Sequence, residues 1–563
     1  MKKTIITSVL AALLLLASCG GNAPKETEST QAETEFVPPV LPDIGSATQR
    51  RPDENDNGAG QYGPKEEISG MEKTEKNTVS LRSCGAAGDG TKDDSAALKK
   101  ALKKLPDGGF AVIEKGTYRL ASDVEVAGNV TLVFMSGAKL CPDEGTTLTV
   151  KGFVDAGQYR IFEGEGKVAG SIRSAGYPHW FGEIGKGDSS AAFQAAIDAC
   201  RVVKIPYRST AYRVSDLVIT HPVRIEGVGS KQVQLKIATG TPTCVFDIRS
   251  SDVYIGNLKI QGDAKKSSVF LFNDSERDLN NITLSSVWAY ELGYFIRDTD
   301  TGGKHVINNV NLLDLRGDGC RMTGIRLTDF RYGIRLNCVQ IQNLGAQYDV
   351  KYPGMSFDGV LDMYMTEIDV TGRGPSSTGA GGLVFKNCSN VTLERADMEQ
   401  ICGHAMYLEN CSAFYMNHWV SGMWDVESVK MTGCRDCVFD LWLIIGENHS
   451  LDRSGAKKFG AGALRIENCE HLTFNALHVQ RVYGDGVVMS DCSGNVFNSL
   501  TLTQVNGRGA AEEGDCKSNF FNALSMSSVK GTNLILVSEG SCANGAVLSD
   551  GKKHDRIGGQ FEK

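Results

Sequence analysis

Three acidic side chains occupy positions from which they could act together on one bond. Asp397 and Glu399 are two residues apart in a stretch whose apolar residues alternate, so in a strand they point the same way with Cα atoms about 6.5–7 Å apart. Asp369 falls in the column of Asp397, one repeat earlier, when Met365 and Ile368 are aligned with the next repeat. Close carboxylates split their pKa values into an acid and a base. This pattern predicts acid–base cleavage of a glycosidic bond, since carboxyl separations of about 6.5–9.5 Å suit inversion.

The repeat that aligns these carboxylates is marked by cysteine. Cys388, Cys411 and Cys434 are 23 residues apart, and the intervals that follow are 35, 23 and 24 residues, to Cys469, Cys492 and Cys516. The longer interval contains a polar segment, residues 447–458, that we interpret as a loop. A fixed period of this length indicates a solenoid, and the period-two alternation indicates strands. We therefore predict an all-β chain that forms a right-handed parallel β-helix, right-handed because parallel crossovers almost always are.

Other columns repeat with the cysteines. One apolar column is predicted to fill the interior, as are Trp419 and Trp442: Leu393, Met416, Phe439, Phe474 and Phe497. One polar column is predicted to stack as a ladder at a bend, where it would satisfy backbone groups that no strand can reach: Glu394, Asn417, Asp440, Asn475 and Asn498. We interpret the cysteines as small buried residues, because stacked parallel side chains suit a disulfide poorly. The single Cys434-x-x-Cys437 pair lacks the partner pair of a zinc site.

Six further side chains are candidates for binding substrate: His404, Tyr407, Trp424, Lys430, Arg465 and His478. The aromatic residues could stack on sugar rings, the histidines could line the groove, and the cations, together with Arg395, could neutralise a uronate. The same acids could instead hold calcium through oxygen ligands in a polysaccharide lyase. A solvated surface without a function also remains open for the acids and for the histidines.

The chain begins with a targeting pattern. Lys2 and Lys3 precede an apolar run, 9–16, that ends in Leu16-Ala17-Ser18-Cys19. The charged, apolar and small-residue regions are those of a secretory signal, and the run is too short to span a bilayer. It resembles a bacterial lipoprotein signal, which implies cleavage before Cys19 and lipidation of its thiol. Residues 19–78 are poor in apolar side chains and are predicted to form a disordered tether. We therefore expect a lipid-anchored protein of the bacterial cell envelope, on the outer membrane or cell surface.

The first folded segment carries a recognisable motif. Gly85-Ala-x-Gly-Asp-Gly-x-x-Asp-Asp precedes the helical pattern of Ala97, Leu98, Ala101, Leu102 and Leu105. This resembles the start of the pectate-lyase-like β-helix domains that are related to family 28 glycosidases and also occur in phage tailspikes. A weaker copy spans 180–198. The resemblance implies a right-handed parallel β-helix with N-terminal capping helices and, in family 28, catalysis by an exposed cluster of aspartates. Asp89, Asp93 and Asp94 are interpreted as turn and capping residues.

Three other family motifs are altered. Asn-Thr-Asp corresponds only to Asp298-Thr-Asp300, Gly-His-Gly to Gly403-His404-Ala405, and Arg-Ile-Lys to Arg465-Ile-Glu467. Polygalacturonase activity is therefore not transferred. The formal net charge of −8 argues against nucleic acid as a partner.

The predicted domains are a signal (1–18), the tether (19–78), an N-terminal β module with its helix (79–175), the β-helix (176–545) and a tail (546–563). The predicted function is a glycoside hydrolase that acts on a polysaccharide without a cofactor. The alternatives are a calcium-assisted lyase and a non-catalytic glycan-binding or adhesive protein. The glycan, its linkage and the oligomeric state stay open.

Overall fold

The computed structural model describes residues 77–563 apart from 186, 230–233, 264–266, 329, 345–351, 373–380, 402, 425, 447–461, 539, 550, 552 and 559–563. The predicted signal, nearly all of the predicted tether and the predicted loop at 447–458 lie outside the described residues. In the described part the chain is a parallel β-solenoid with little helix. No helix in that part is long and apolar enough to cross a membrane.

The N-terminal segment contains three short parallel sheets. The first is formed by Thr78–Ser80, Gly109–Ile113, Val130–Phe134 and Phe153–Asp155; the second by Asp89–Asp93, Gly116–Leu120 and Ala138–Pro142; the third by Val124–Val126, Thr147–Val150 and Lys167–Gly170. Two α-helices, Ser95–Lys103 and Ser190–Ala199, lie where the motif and its weaker copy predict them, and short 3-10 helices span Arg82–Cys84 and Pro178–Trp180. That the α-helices cap the solenoid stays a prediction.

The aspartates of the motif hold local backbone. Asp94 accepts hydrogen bonds from the backbone N–H groups of Ala87 and Gly88 at 2.7 and 2.9 Å. Asp93 accepts one from the N–H of Ser95, and Asp89 accepts one from the N–H of Thr91. The interpretation of these residues as turn residues is therefore confirmed. A capping role is not shown for Asp94, because its side chain makes no cap hydrogen bond to the helix Ser95–Lys103 that it precedes.

Two long sheets build the rest of the chain. The 20-stranded sheet is formed by Ile172–Gly176, Cys200–Lys204, Tyr212–Val214, Val223–Glu226, Leu235–Ile237, Val253–Gln261, Leu279–Leu292, Ile307–Cys320, Ile334–Leu344, Met363–Gly372, Ser389–Ile401, Ser412–Trp424, Val438–Ile445, Thr473–Val482, Val496–Phe497, Leu500–Val505, Phe520–Phe521, Leu524–Ser527, Cys542–Val547 and Lys553–Gly558. The 13-stranded sheet is formed by Leu217–Ile219, Cys244–Ile248, Ser268–Phe272, Tyr294–Asp298, Ile325–Leu327, Met355–Asp358, Leu383–Lys386, Met406–Glu409, Glu427–Thr432, Gly462–Glu467, Asp485–Ser490, Ala510–Glu513 and Leu534–Ile535. Pairing is parallel until the last strand, Lys553–Gly558, which is antiparallel to Cys542–Val547.

The longest strands bend in the middle, so each has a first arm before the bend and a second arm after it. Between Ser389–Ile401 and Ser412–Trp424 the register passes from Leu393↔Met416 to Arg395↔His418 and skips the position of the predicted polar ladder. On the strands Leu279–Leu292 and Ile307–Cys320, four and three turns nearer the N-terminus than Ser389–Ile401, Ser286 and Asp314 take left-handed φ values of 52° and 51° at the corresponding skip. A left-handed residue reverses the local pleat and turns the strand. A solenoid turn therefore has three strand segments, two from one long strand and one from the 13-stranded sheet.

The polar ladder exists, but it bonds mainly to itself. The Asn498 amide donates to Asn475 Oδ1 at 2.8 Å and accepts from Asn522 Nδ2 at 2.9 Å, in an exposed column. Bend backbone is satisfied instead by buried amides that sequence analysis did not single out. Asn495 accepts from the Leu472 N–H at 2.9 Å and donates to the Cys469 carbonyl at 3.3 Å.

The interior follows the predicted columns. Phe474 and Phe497 stack at 4.7 Å between ring centroids, and Phe497 stacks on Phe521 at 4.9 Å. Trp419 and Trp442 are fully buried and lie 5.8 Å apart. The six repeat cysteines are buried and form no disulfide, which confirms their interpretation as packing residues. Burial raises the pKa of the Cys437 thiol to about 12.

Candidate active site

The predicted carboxylates lie on the second arm of the 20-stranded sheet. Asp369 pairs in register with Asp397, and Thr371 pairs with Glu399, so the predicted alignment of the two aspartates is confirmed. Adjacent strands are about 4.8 Å apart, and Asp397 and Glu399 are two residues apart on one strand. The three acids therefore form a compact triangle on an outward surface.

This surface continues in both directions, and we call it the site face. It comprises the outward side chains of the second arms, in neighbouring pairs: Lys259/Gln261, Trp288/Tyr290, Arg316/Asp318, Gln340/Gln342, Asp369/Thr371, Asp397/Glu399, Val420/Gly422, Leu443/Ile445 and His478/Gln480. The acids lie near its middle. Towards the N-terminus the face is cationic and aromatic, and towards the C-terminus it is first apolar and then polar.

Asp397 has the most perturbed environment of the three acids. Burial, followed by the negative charges of Glu399 and Asp369, raises the pKa of its carboxyl to about 6, although Arg395 acts in the opposite direction. Its Oδ1 atom is buried and has no hydrogen-bond partner among the described residues. Glu399 is exposed. A carboxyl that keeps its proton up to about pH 6 beside a second, solvated carboxylate is an arrangement suited to general acid–base catalysis.

Asp369 is held in place by its own strand. The Thr371 hydroxyl donates to Asp369 Oδ1 at 3.0 Å. Burial raises the pKa of the Asp369 carboxyl, while hydrogen bonds from Thr371 and Gln342 lower it. Asp369 is thus fixed next to Asp397, where its charge favours the protonated form of that carboxyl.

Two basic side chains border the acids. Arg395 and His418 pair in register on adjacent strands, each two residues before the second-arm positions of Asp397 and Val420. Burial, and after it the charge of Arg395, lowers the pKa of His418, which favours the neutral ring. His418 was not among the predicted site residues, although it falls seven residues after Cys411, as Arg395 does after Cys388.

Four predicted substrate-binding residues belong to a different surface. Tyr407, Lys430 and Arg465 form one register column of the 13-stranded sheet, and His404 packs against Tyr407 with ring centroids 5.9 Å apart. The His404 Nδ1 atom is 2.9 Å from the Glu427 carbonyl oxygen. The structure therefore does not bring these residues together with Asp397.

The cations of that second surface are already paired. Lys430 Nζ lies 2.9 Å from Glu467 Oε2, and Arg465 Nε lies 2.6 Å from Glu467 Oε1. The structure therefore does not support the hypothesis that Lys430 and Arg465 neutralise a uronate at the acids. Both lie on the other sheet, where Glu467 contacts both of them and Glu513 lies 3.5 Å from Arg465. Period-two alternation shows that a side chain points outward, but not from which sheet.

Trp424 was predicted to stack on a sugar and is instead fully buried. Its Nε1 atom donates to the Gly462 carbonyl oxygen at 2.8 Å. Trp424 pairs with Ile401, in an inward column that ends the strand, so the prediction was wrong. His478 does lie on the site face, but Val420 and Leu443 separate it from Asp397. That is three strand spacings, about 14 Å.

The altered family motif at 298–300 has a structural role. Asp298 is buried and accepts a hydrogen bond from the Thr328 hydroxyl at 3.0 Å. Asp300 forms an ion pair with Arg326. Among the described residues, no three His, Cys, Asp or Glu side chains are grouped so that they could hold a metal ion.

The fold and the site define a parallel β-solenoid with an acidic centre on one outward face. No protein-family model and no curated protein matches the chain. Solved structures with some similarity include tailspike protein 2 of bacteriophage CBA120, at 13% identity and a TM-score of 0.31, where the match covers 62% of this chain and 48% of that one.

Two further solved structures are comparable. The Streptococcus pneumoniae surface protein and adhesin PfbA is 10% identical, with a TM-score of 0.24 and coverage of 82% and 100%. The family 28 exopolygalacturonase of Yersinia enterocolitica is 12% identical, with a TM-score of 0.21 and coverage of 79% and 78%. At these values the similarity carries no conclusion about what this chain does.

Proposed function

We propose that the protein is a glycoside hydrolase that cleaves a polysaccharide on its site face with inversion. Asp397 acts as the general acid and protonates the leaving oxygen. Glu399 acts as the general base and activates water, and Asp369 keeps the proton on Asp397. The observation that carries the proposal is the Asp397 carboxyl, whose pKa is raised to about 6 beside Glu399 on the same strand. Inverting enzymes need such a pair with room for water between the two groups.

We propose the roles in this order because the two carboxyls differ in solvation. Asp397 is partly buried, and Oδ1 lacks a partner among the described residues, so the protonated form is favoured and a proton is available for the substrate. Glu399 is exposed, so the water that it would activate can reach it from solvent. Arg395 and His418 border the pair and could bind sugar hydroxyls or a carboxylate.

The test is turnover on a broad glycan panel, with reducing ends and the ultraviolet absorbance of unsaturated uronides measured together. We expect reducing ends without absorbance. Asp397→Asn and Glu399→Gln should each lower kcat about 10²–10⁴-fold, because each removes one proton-transfer partner, while binding of the same glycan is retained. In the unaltered protein kcat/KM, which reports the ionisation of the free enzyme, should fall above about pH 6, where Asp397 loses its proton.

Asp155→Asn, which alters an exposed carboxylate of the N-terminal segment, is the matched control and should leave kcat unchanged. If unsaturated products appear, the reaction is that of a lyase and the proposed hydrolysis is wrong. Binding without turnover of any glycan would identify a glycan-binding or adhesive protein instead.

We also propose that the solenoid is right-handed and that the mature chain is a lipoprotein attached through Cys19. The support for the handedness is the general preference of parallel crossovers. The support for the anchor is the signal pattern alone, with its charged start, short apolar run and Leu-Ala-Ser-Cys ending.

A further inference from the structure

The N-terminal half of the site face carries a row of cations that the proposed chemistry does not use. Arg213 pairs in register with Lys236, and Lys236 pairs with Gln261, next to Lys259. Arg316 follows two strands beyond Lys259. Within the described part of the chain, Arg213, Lys236 and Lys259 form no ion pair, and the nearest carboxylate oxygen to Arg316 is that of Asp318, at 3.8 Å.

An indole holds two of these cations in place. Lys259 Nζ lies 3.5 Å from the centre of the Trp288 ring, and the Arg316 guanidinium lies 4.7 Å from it. Lys259 comes from the preceding strand and Arg316 from the next one. Such cation–π contacts orient the charges without neutralising them. Trp288 therefore acts here as a support for cations, and its faces are not free to stack on a sugar.

The same cluster presents unused donors. Trp288 Nε1 and Arg316 Nε are both buried and have no hydrogen-bond partner among the described residues. Buried donors are nearly always satisfied, so each orphan suggests a ligand or solvent that supplies the acceptor. Lys259, Trp288 and Arg316 themselves offer only donors and positive charge, which is the complement of an anionic group. Asp318, 3.8 Å from Arg316, is the carboxylate next to the cluster.

We propose that Lys259, Trp288 and Arg316 form a subsite for the anionic group of an acidic polysaccharide, a carboxylate or a sulfate, whose chain runs along the site face to the acids. This deepens the proposed function and rests on it. Arg316 is three strand spacings from Asp397 through Gln340 and Asp369, about 14 Å, and Lys259 is five, about 24 Å. One extended chain can therefore occupy the subsite and the acids together, and the amides of Gln340 and Gln342 lie between them.

The negative charge of the three acids is a further reason to expect a cationic subsite at a distance from them. An acidic polymer would be repelled by Asp369, Asp397 and Glu399 if nothing else held it. Binding energy from the distant cations can offset that repulsion and place a bond at the carboxylates. A neutral glycan would gain no charge–charge attraction from the cationic half of the face.

The experiment measures the Kd of the full chain for polygalacturonate, heparin and neutral dextran by isothermal titration calorimetry, together with turnover. Lys259→Gln combined with Arg316→Gln should weaken binding of the preferred acidic polymer about tenfold or more, since charge-assisted hydrogen bonds are worth at least that factor. Lys100→Gln combined with Arg335→Gln removes the same charge from the first helix and from a first arm, and should leave that Kd unchanged. Preference for polygalacturonate assigns the subsite to carboxylates, and preference for heparin assigns it to sulfates.

Equal losses in the two double variants, no loss in either, or preferential binding of dextran would overturn the inference. Failure of the proposed function is distinguishable from this. If Lys259 and Arg316 control binding of an acidic polymer that is never cleaved, the hydrolase is wrong and the subsite stands. If only a neutral glycan is cleaved, and this requires Asp397, the hydrolase stands and the subsite is wrong.

Discussion

At the scale of single residues, two outward aspartates that look alike in the sequence have different environments. Asp397 and Asp440 are both acidic and both outward, yet Asp440 accepts hydrogen bonds from Asn475 and Tyr415 in the exposed ladder. Asp397 has one buried oxygen without a partner among the described residues and two acidic neighbours. A carboxylate that is bonded on several sides stabilises its surroundings, whereas one that is desolvated and repelled costs stability and is available for chemistry.

The destabilising effect of the ionised Asp397 carboxylate gives a prediction that can be tested without knowing the substrate. The pKa of this carboxyl rises from 3.8 to about 6 on folding, so the unfolded chain loses its proton first as the pH increases. Native stability is therefore unaffected at low pH, declines between about pH 4 and 6, and stays reduced above that range. Asp397→Asn should raise the free energy of unfolding by about 1–3 kcal/mol at pH 7.5, and most of this gain should vanish at pH 4.

Urea denaturation of the two proteins at both pH values measures this difference. Asp155→Asn, at an exposed position, should change stability little at either pH. A loss of stability on Asp397→Asn at pH 7.5 would show that the carboxylate is satisfied in the native protein and would remove its claim to be the acid.

At the scale of strands and bends, two asparagine columns that are similar in sequence form different kinds of hydrogen bond. Asn498 bonds to other side chains in solvent. Asn495, three residues earlier, is fully buried and bonds to backbone groups of a neighbouring turn. The exposed column competes with water for each hydrogen bond, and the buried column does not.

Alanine substitutions should separate the two columns. Asn498→Ala should cost about 0.5–1 kcal/mol of unfolding free energy, because its partners can bond to water. Asn495→Ala should cost about 2–4 kcal/mol, because it leaves the buried Leu472 N–H without its acceptor and removes the hydrogen bond from Asn495 Nδ2 to the Cys469 carbonyl. Urea denaturation at neutral pH compares them, and equal losses would contradict the distinction.

At the scale of the whole molecule, charge is segregated along one face although the chain as a whole is acidic. The formal net charge is −8, yet the N-terminal half of the site face is cationic and its centre is acidic. The net charge argues against nucleic acid but says nothing about this local order, because potentials near a surface depend on which charges are neighbours.

The proposed attachment of the whole chain is tested by Cys19→Ala. A chain that is lipidated at Cys19 should remain with the membrane pellet after cell fractionation, and the variant should move to the soluble fraction. Cys338→Ala alters an exposed, unoxidised cysteine of the solenoid and should leave the distribution unchanged. Retention of the Cys19 variant in the pellet would show that another feature anchors the protein.

The sequence alone was enough to predict the parallel solenoid turns and the alignment of Asp369 with Asp397. Its period, its alternation and its cysteine spacing predicted parallel turns, buried Phe474 and Phe497, and Asp369 beside Asp397, because each turn of a solenoid contacts only its neighbours and so repeats local rules. The tertiary structure decided which sheet each outward residue belongs to. That depends on where the backbone bends between arms, at positions such as Ser286 and Asp314, and not on alternation.

For this reason Tyr407 and Lys430 were assigned to the wrong surface and Trp424 to the wrong side of the sheet. The cations at Lys259 and Arg316 were missed for a related reason. Towards the N-terminus the sequence lacks the regularly spaced cysteines that align the later turns. Only the register of the paired strands shows that Lys259, Trp288 and Arg316 lie in the same column as Asp397. A sequence records the order of residues along each turn, but the contact between turns depends on the register of backbone hydrogen bonds, which only the folded chain sets.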